Sequence, residues 1–110
     1  MKIAMLNCLE ANEVCAGAAC LKAFNSKTKH FQQYGDEPLE LVAMARCNGC
    51  KAGIDRGFEE KLERIADIGT EVCHVGVCTV RRDTGLECPV ITKAAEYLES
   101  HGVKIVRGTH

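Results

Sequence analysis

Tryptophan is absent, and two tyrosines and three phenylalanines are the only aromatic side chains. A platform for stacking exposed bases needs more than that. Neither sign of charge is in excess: fourteen Lys and Arg face fifteen Asp and Glu, for a net charge of −1. Such a balance creates no field to draw in nucleic acid or an anionic membrane. The small basic clusters, Lys27 and Lys29 with His30 and Arg81 with Arg82, read as solvated loop or helix faces. No apolar run approaches the ~20 residues of a membrane span. The opening Met1–Asn7 stretch carries one lysine and too short an apolar run for a secretory signal, so a cytoplasmic location is expected. Also missing are a Gly-x-Ser-x-Gly elbow, a Walker loop and a Gly-x-Gly-x-x-Gly turn after the first apolar run, so neither a hydrolase nor a nucleotide-binding enzyme is indicated. With no repeat or linker, the 110 residues are expected to form one domain.

Against these absences stand eight cysteines. An even count in an exported miniprotein would suggest a disulfide framework. Here no export signal is read, and 46% apolar residues suffice to build an ordinary core. The thiols therefore call for another account: core side chains, metal ligands or redox groups.

Four apolar runs read as strands: Ile3 to Leu6, Leu39 to Ala45, Val72 to Val77 and Val103 to Val106. None alternates cleanly with polar residues, which fits parallel strands covered on both faces. Three segments between them have helical periodicity. The first spans about Gly17 to Tyr34, with Gly35 as its stop. The second spans Arg56 to Ile68, with Asp55 as N-cap, Phe58, Leu62 and Ile65 on one face, and Gly69 beyond its end. The third runs from Pro89, suited to a first helical turn, to about His101 before Gly102. The order βαβαβαβ predicts an α/β three-layer sandwich around a four-stranded parallel sheet, with the flavodoxin-like strand order 2-1-3-4.

On that topology the cysteines segregate. Cys8 follows the first strand, Cys47 and Cys50 the second, Cys78 the third and His110 the fourth. Parallel strands bring these five to one sheet edge. Cys15 and Cys20 belong to the first loop and helix opening, and Cys88 precedes the third helix, so they fall at the same edge. Ligands of open α/β sheets bind at that carboxyl edge. Cys73 lies inside a strand and reads as an inert core thiol. His30 and His101 read as solvated helix residues. His74, four positions before Cys78, is expected to share its strand face, as a core residue or as a neighbour of the site.

The sharpest local motif is Cys47-Asn48-Gly49-Cys50. Two thiolates at this spacing chelate one soft ion or bind neighbouring irons. The same spacing serves redox disulfides whose nucleophile is activated by a helix N-terminus. Lys51–Ile54 separates Cys50 from the expected second helix and weakens that redox reading. No other spacing closes a zinc finger or ribbon, so ligands must come from separate loops.

The chain resembles the CGGC-domain proteins, small cysteine- and histidine-rich proteins of bacteria and archaea. The resemblance rests on Cys47-Asn48-Gly49-Cys50, Cys8 closing the first strand, Cys15 leading into Ala16-Gly17-Ala18-Ala19-Cys20, and Phe31-x-x-Tyr34. It continues through His74 before Cys78, Cys88-Pro89, and Gly108-Thr109-His110. The family usually has glycine where this chain has Asn48, which leaves both thiols in place. The resemblance implies one metal-binding domain over residues 1–110, with zinc suggested and no settled activity. Three functions are carried forward. The first is zinc held by ligands drawn from Cys8, Cys15, Cys20, Cys47, Cys50, Cys78, Cys88 and His110. The second is an iron–sulfur cluster for electron transfer or redox sensing, and the third a thiol oxidoreductase using Cys47 and Cys50. A metal-bearing edge also points to a redox or metal-transfer protein as partner.

Overall fold

The computed structural model describes residues 1–110. Its elements follow in the order β1 (Lys2–Asn7), α1 (Ala18–Ser26), β2 (Glu40–Arg46), α2 (Arg56–Asp67), β3 (Val72–Val75), α3 (Pro89–Ser100) and β4 (Lys104–Arg107), with 3-10 turns at Ala11–Glu13, Lys29–Tyr34 and Val77–Thr79. All strand pairs are parallel and the sheet order is β2-β1-β3-β4, as the sequence predicts. In β2, Val42 is an extra residue between Leu41 and Ala43, which face Ile3 and Ala4 of β1.

Alternation along β1 and β3 builds the layers. Ala4, Leu6, Cys73 and Val75 pack with Phe58, Leu62 and Ile65 of α2 and Ile91, Ala94 and Leu98 of α3. Ile3, Met5 and Val72 point the other way, against Cys20, Ala23 and Phe31. The first connection thus covers one face and the next two cover the other. The strand order reverses beside β1, so the carboxyl ends of β1 and β3 form the switch point where such sheets place ligands.

Two expected boundaries move. The first helix does not run to Tyr34: α1 ends at Ser26, and Lys27 and Lys29 take left-handed φ values of 51° and 54°. Asn25, Ser26 and Thr28, around this break, are weak helix formers. Breaking there turns Phe31 inward, edge-on to Phe24 at 5.4 Å between ring centroids. The third strand stops at Val75, not Val77, because the chain enters a 3-10 turn after Gly76. A Cβ at Gly76 would overlap the Asn7 side-chain amide. Cys78 therefore sits on that turn and does not share a strand face with His74.

Candidate functional site

The local structure around the CxxC motif begins with Cys47, which leaves β2 nearly buried while its Sγ accepts the Leu9 N–H at 3.3 Å. Gly49 takes φ 103°, so the left-handed turn of the motif falls on the glycine. Asn48 instead ties the loop to α2. Its Nδ2 donates to Asp55 Oδ1 at 2.9 Å, and its Oδ1 accepts from Lys61 Nζ at 2.7 Å. Asp55 in turn accepts the Phe58 N–H at 2.8 Å, the expected helix cap. That bond and the Asn48 amide hold the Asp55 carboxyl below the usual carboxylate range. The residue that departs from the family tetrapeptide is thus a strut for the motif.

At the switch point, Cys8 N–H donates to Cys78 Sγ at 3.4 Å, joining the ends of β1 and β3. Burial pushes the Cys78 thiol up, opposed by that N–H.

The eight expected ligands divide between two cavities. Cys8, Cys47, Cys50, Cys78 and Cys88 line one of about 570 Å³. Cys15, Cys20 and His110 line a second of about 30 Å³, and Cys78 borders both. Cys73 is fully buried in the core between the sheet and α2 and α3, and its thiol is pushed up to about 12 by that burial, which suits the inert role expected of it. His101 is exposed and stacks on Tyr97 at 4.1 Å, also as expected.

The thiols of the large cavity are gathered but not clenched. No three His, Cys, Asp or Glu side chains stand close enough together to cage one ion. What fits a thiophilic metal is the chemistry of the donors: several soft ligands from separate loops around one volume. Cys50 is exposed at the cavity, where desolvation and then the Glu10 carboxylate push its thiol up. A redox nucleophile needs the opposite shift. Helix α2 starts at Arg56, and its N-cap Asp55 is bonded to Asn48 of the motif, while the N-terminus of α3 at Pro89 lines the same cavity.

Sequence reasoning overlooked Glu10 and read Arg81 and Arg82 as merely solvated, yet all three line the large cavity. Their only signal was proximity in sequence to Cys8 and Cys78. It also missed how the chain beyond β4 is fixed. His74 is fully buried, stacked on Phe31 at 4.3 Å, and its Nδ1 lies 2.8 Å from the Gly108 carbonyl. That carbonyl only accepts, so Nδ1 carries the proton and Nε2 accepts the Tyr34 hydroxyl at 2.6 Å. Gly108 N–H donates to Val75 O at 2.7 Å, and a Cβ on Gly108 would overlap the His30 ring. Thr109 and His110 are thereby delivered to Cys20, whose Sγ is 3.0 Å from Thr109 Oγ1 and 3.6 Å from His110 Nδ1.

The family model of the CGGC domain matches residues 2–110. An uncharacterized protein of Methanocaldococcus jannaschii is 34% identical over an alignment of 122 residues that spans 100% of this chain and 87% of the relative. No solved structure matches. No helix is long and apolar enough to cross a membrane. Cysteine-rich, with a thiol-lined cavity at its sheet edge, the chain belongs to the CGGC-domain family.

Proposed function

We propose that this protein carries a thiolate-ligated metal centre in its large cavity, held by Cys8, Cys47, Cys50 and Cys88. The observation that carries the reading is their convergence from three loops, after β1, after β2 and before α3, on one cavity of about 570 Å³. Of the charged residues lining the cavity, Arg82 would offset part of the thiolate charge, whereas Arg81 lies 3.8 Å from Asp83 and Glu10 adds a further carboxylate.

The form of centre best supported is an iron–sulfur cluster for electron transfer or redox sensing. A single zinc requires four donors about 2.3 Å from one point. A cluster takes one thiolate per iron, so its protein ligands stand apart. Spread donors around a roomy cavity favour the second case. A mononuclear zinc site is the second reading. It is favoured by the exposure of Cys50 between Gly49 and Gly53, both at positive φ, on a loop that an ion would draw inward. Against a thiol oxidoreductase stands the near-complete burial of Cys47, because a reactive thiol needs access to its partner. A redox or metal-transfer protein is the partner such an edge would serve.

The test is metal content across single Cys→Ser variants. Cys8→Ser, Cys47→Ser, Cys50→Ser and Cys88→Ser are each expected to lower bound metal, while Cys73→Ser keeps it. Loss in Cys73→Ser, with none in Cys47→Ser or Cys50→Ser, would overturn the assignment.

A further inference from the structure

The small cavity has a chemistry of its own. Cys20 lies in the first turn of α1 with its side chain nearly buried, and Thr109 is fully buried. Cys20 Sγ, Thr109 Oγ1 and His110 Nδ1 form a triangle, with 3.0 Å from sulfur to hydroxyl, 3.0 Å from hydroxyl to imidazole and a longer 3.6 Å from sulfur to imidazole. A hydroxyl donates once and accepts from another donor. Thr109 can therefore take the Cys20 proton while passing its own to His110. A buried thiol in this setting is more than a space-filling side chain, because a path exists to make it a thiolate without exposing it to solvent.

The cavity beside it limits what can react. Its volume is about 30 Å³, against the roughly 10–15 Å³ that one water needs. Two bonded oxygen atoms fit such a space, and a cofactor or a thiol tripeptide does not. Asn7 and Asn12 line the same cavity and supply polar groups to hold a small polar guest.

We propose that Cys20, Thr109 and His110 form a peroxide-reactive thiol site, separate from the metal cavity and taking hydrogen peroxide as its reactant. The Cys20 proton moves to Thr109 as the Thr109 hydroxyl proton moves to His110 Nδ1. The sulfur attacks one peroxide oxygen, the S–O bond forms and the O–O bond breaks. The departing hydroxide recovers the proton from His110 and leaves as water. Sulfur is oxidised by two electrons to a sulfenic acid and hydrogen peroxide is reduced to water, so the step needs no other reactant. Cys15 and Cys78 border the same cavity, and either thiol can condense with the sulfenic acid, losing a second water and forming a disulfide.

The titratable groups facing the relay are Cys15 and Cys78 on the first cavity wall, and His30 and the paired Glu87 and Arg107 on the far side of His110. None stands between Cys20 and Thr109. The Tyr34–His74–Gly108 chain fixes the backbone that presents Thr109, so it acts as a positioning device.

The test is titration of the purified protein with substoichiometric hydrogen peroxide, with a sulfenic-acid trap and peptide mass mapping. The readout is at Cys20 and does not depend on metal. Cys20 is expected to be the first of the eight cysteines converted, as sulfenic acid or as a disulfide to Cys15 or Cys78. Thr109→Val, close in shape, is expected to slow conversion about tenfold by removing the shorter path and leaving only the 3.6 Å contact from Cys20 to His110. Thr109→Ser restores it. His110→Gln, at an exposed position, is expected to slow conversion by removing the imidazole that takes the proton. First conversion at Cys47 or Cys50 would overturn the proposal. So would a Thr109→Val or His110→Gln variant with the conversion rate of wild type.

Discussion

Acidification from pH 7.5 to 5 is expected to destabilise the fold through His74. This imidazole is fully buried, with Nδ1 donating to Gly108 and Nε2 accepting from Tyr34. Burial lowers its pKa, with the Gly108 carbonyl opposing and His30 adding to the shift. The unfolded chain binds a proton on the same residue near pH ~6.5. Below that pH the unfolded state holds more protons than the folded one, so stability falls as pH falls. The loss approaches about 1.4 kcal/mol per pH unit until the folded-state pKa is reached, and it vanishes above the unfolded value. The carboxyls of Asp55, Glu63 and Glu87 are all lowered, so their losses begin only in the carboxylate range, below this window. Urea midpoints at half-unit steps would measure the effect. His74→Gln should be less stable at pH 7.5 and should lose most of the slope between pH 6.5 and 5. A flat wild-type curve, or an equal slope in His74→Gln, would refute the reasoning.

Cys73→Ser should keep its metal yet lose about 1–3 kcal/mol in urea unfolding, because a hydroxyl replaces a fully buried thiol in an apolar core. A variant as stable as wild type would contradict that burial. Asn48→Gly restores the family tetrapeptide but removes the bonds to Asp55 and Lys61. Faster amide exchange over residues 49–53 is expected, with metal content unchanged. Unaltered exchange would show that Asn48 is no strut.

The architecture was legible because its signals are local. Apolar runs marked the strands, Asp55 and Pro89 marked helix starts, and Gly69 and Gly102, both at positive φ, marked helix ends. Parallel topology then placed the cysteines at one edge. The break in α1 was less legible, because it depends on Phe31 finding a buried place against His74, far along the chain. Division of the thiols between two cavities was not legible at all. Edge position follows from strand direction, but Cys15 and Cys20 part from Cys47 and Cys50 only because α1 and α2 lie on opposite faces. Likewise Phe31-x-x-Tyr34 and Gly108-Thr109-His110 were visible as motifs, yet their link through His74 exists only in three dimensions.

The central claim is the thiolate metal centre, and the most direct measurement is the metal and acid-labile sulfide content of protein purified without oxygen, with its absorption spectrum. The account predicts a brown protein with iron and sulfide in roughly equal amounts, bleached by Cys47→Ser or Cys50→Ser. Colourless protein with about one zinc per chain would keep the thiolate centre and replace the cluster with the tetrahedral ion. A metal-free preparation in which Cys8, Cys47, Cys50 and Cys88 react as free thiols would contradict the claim.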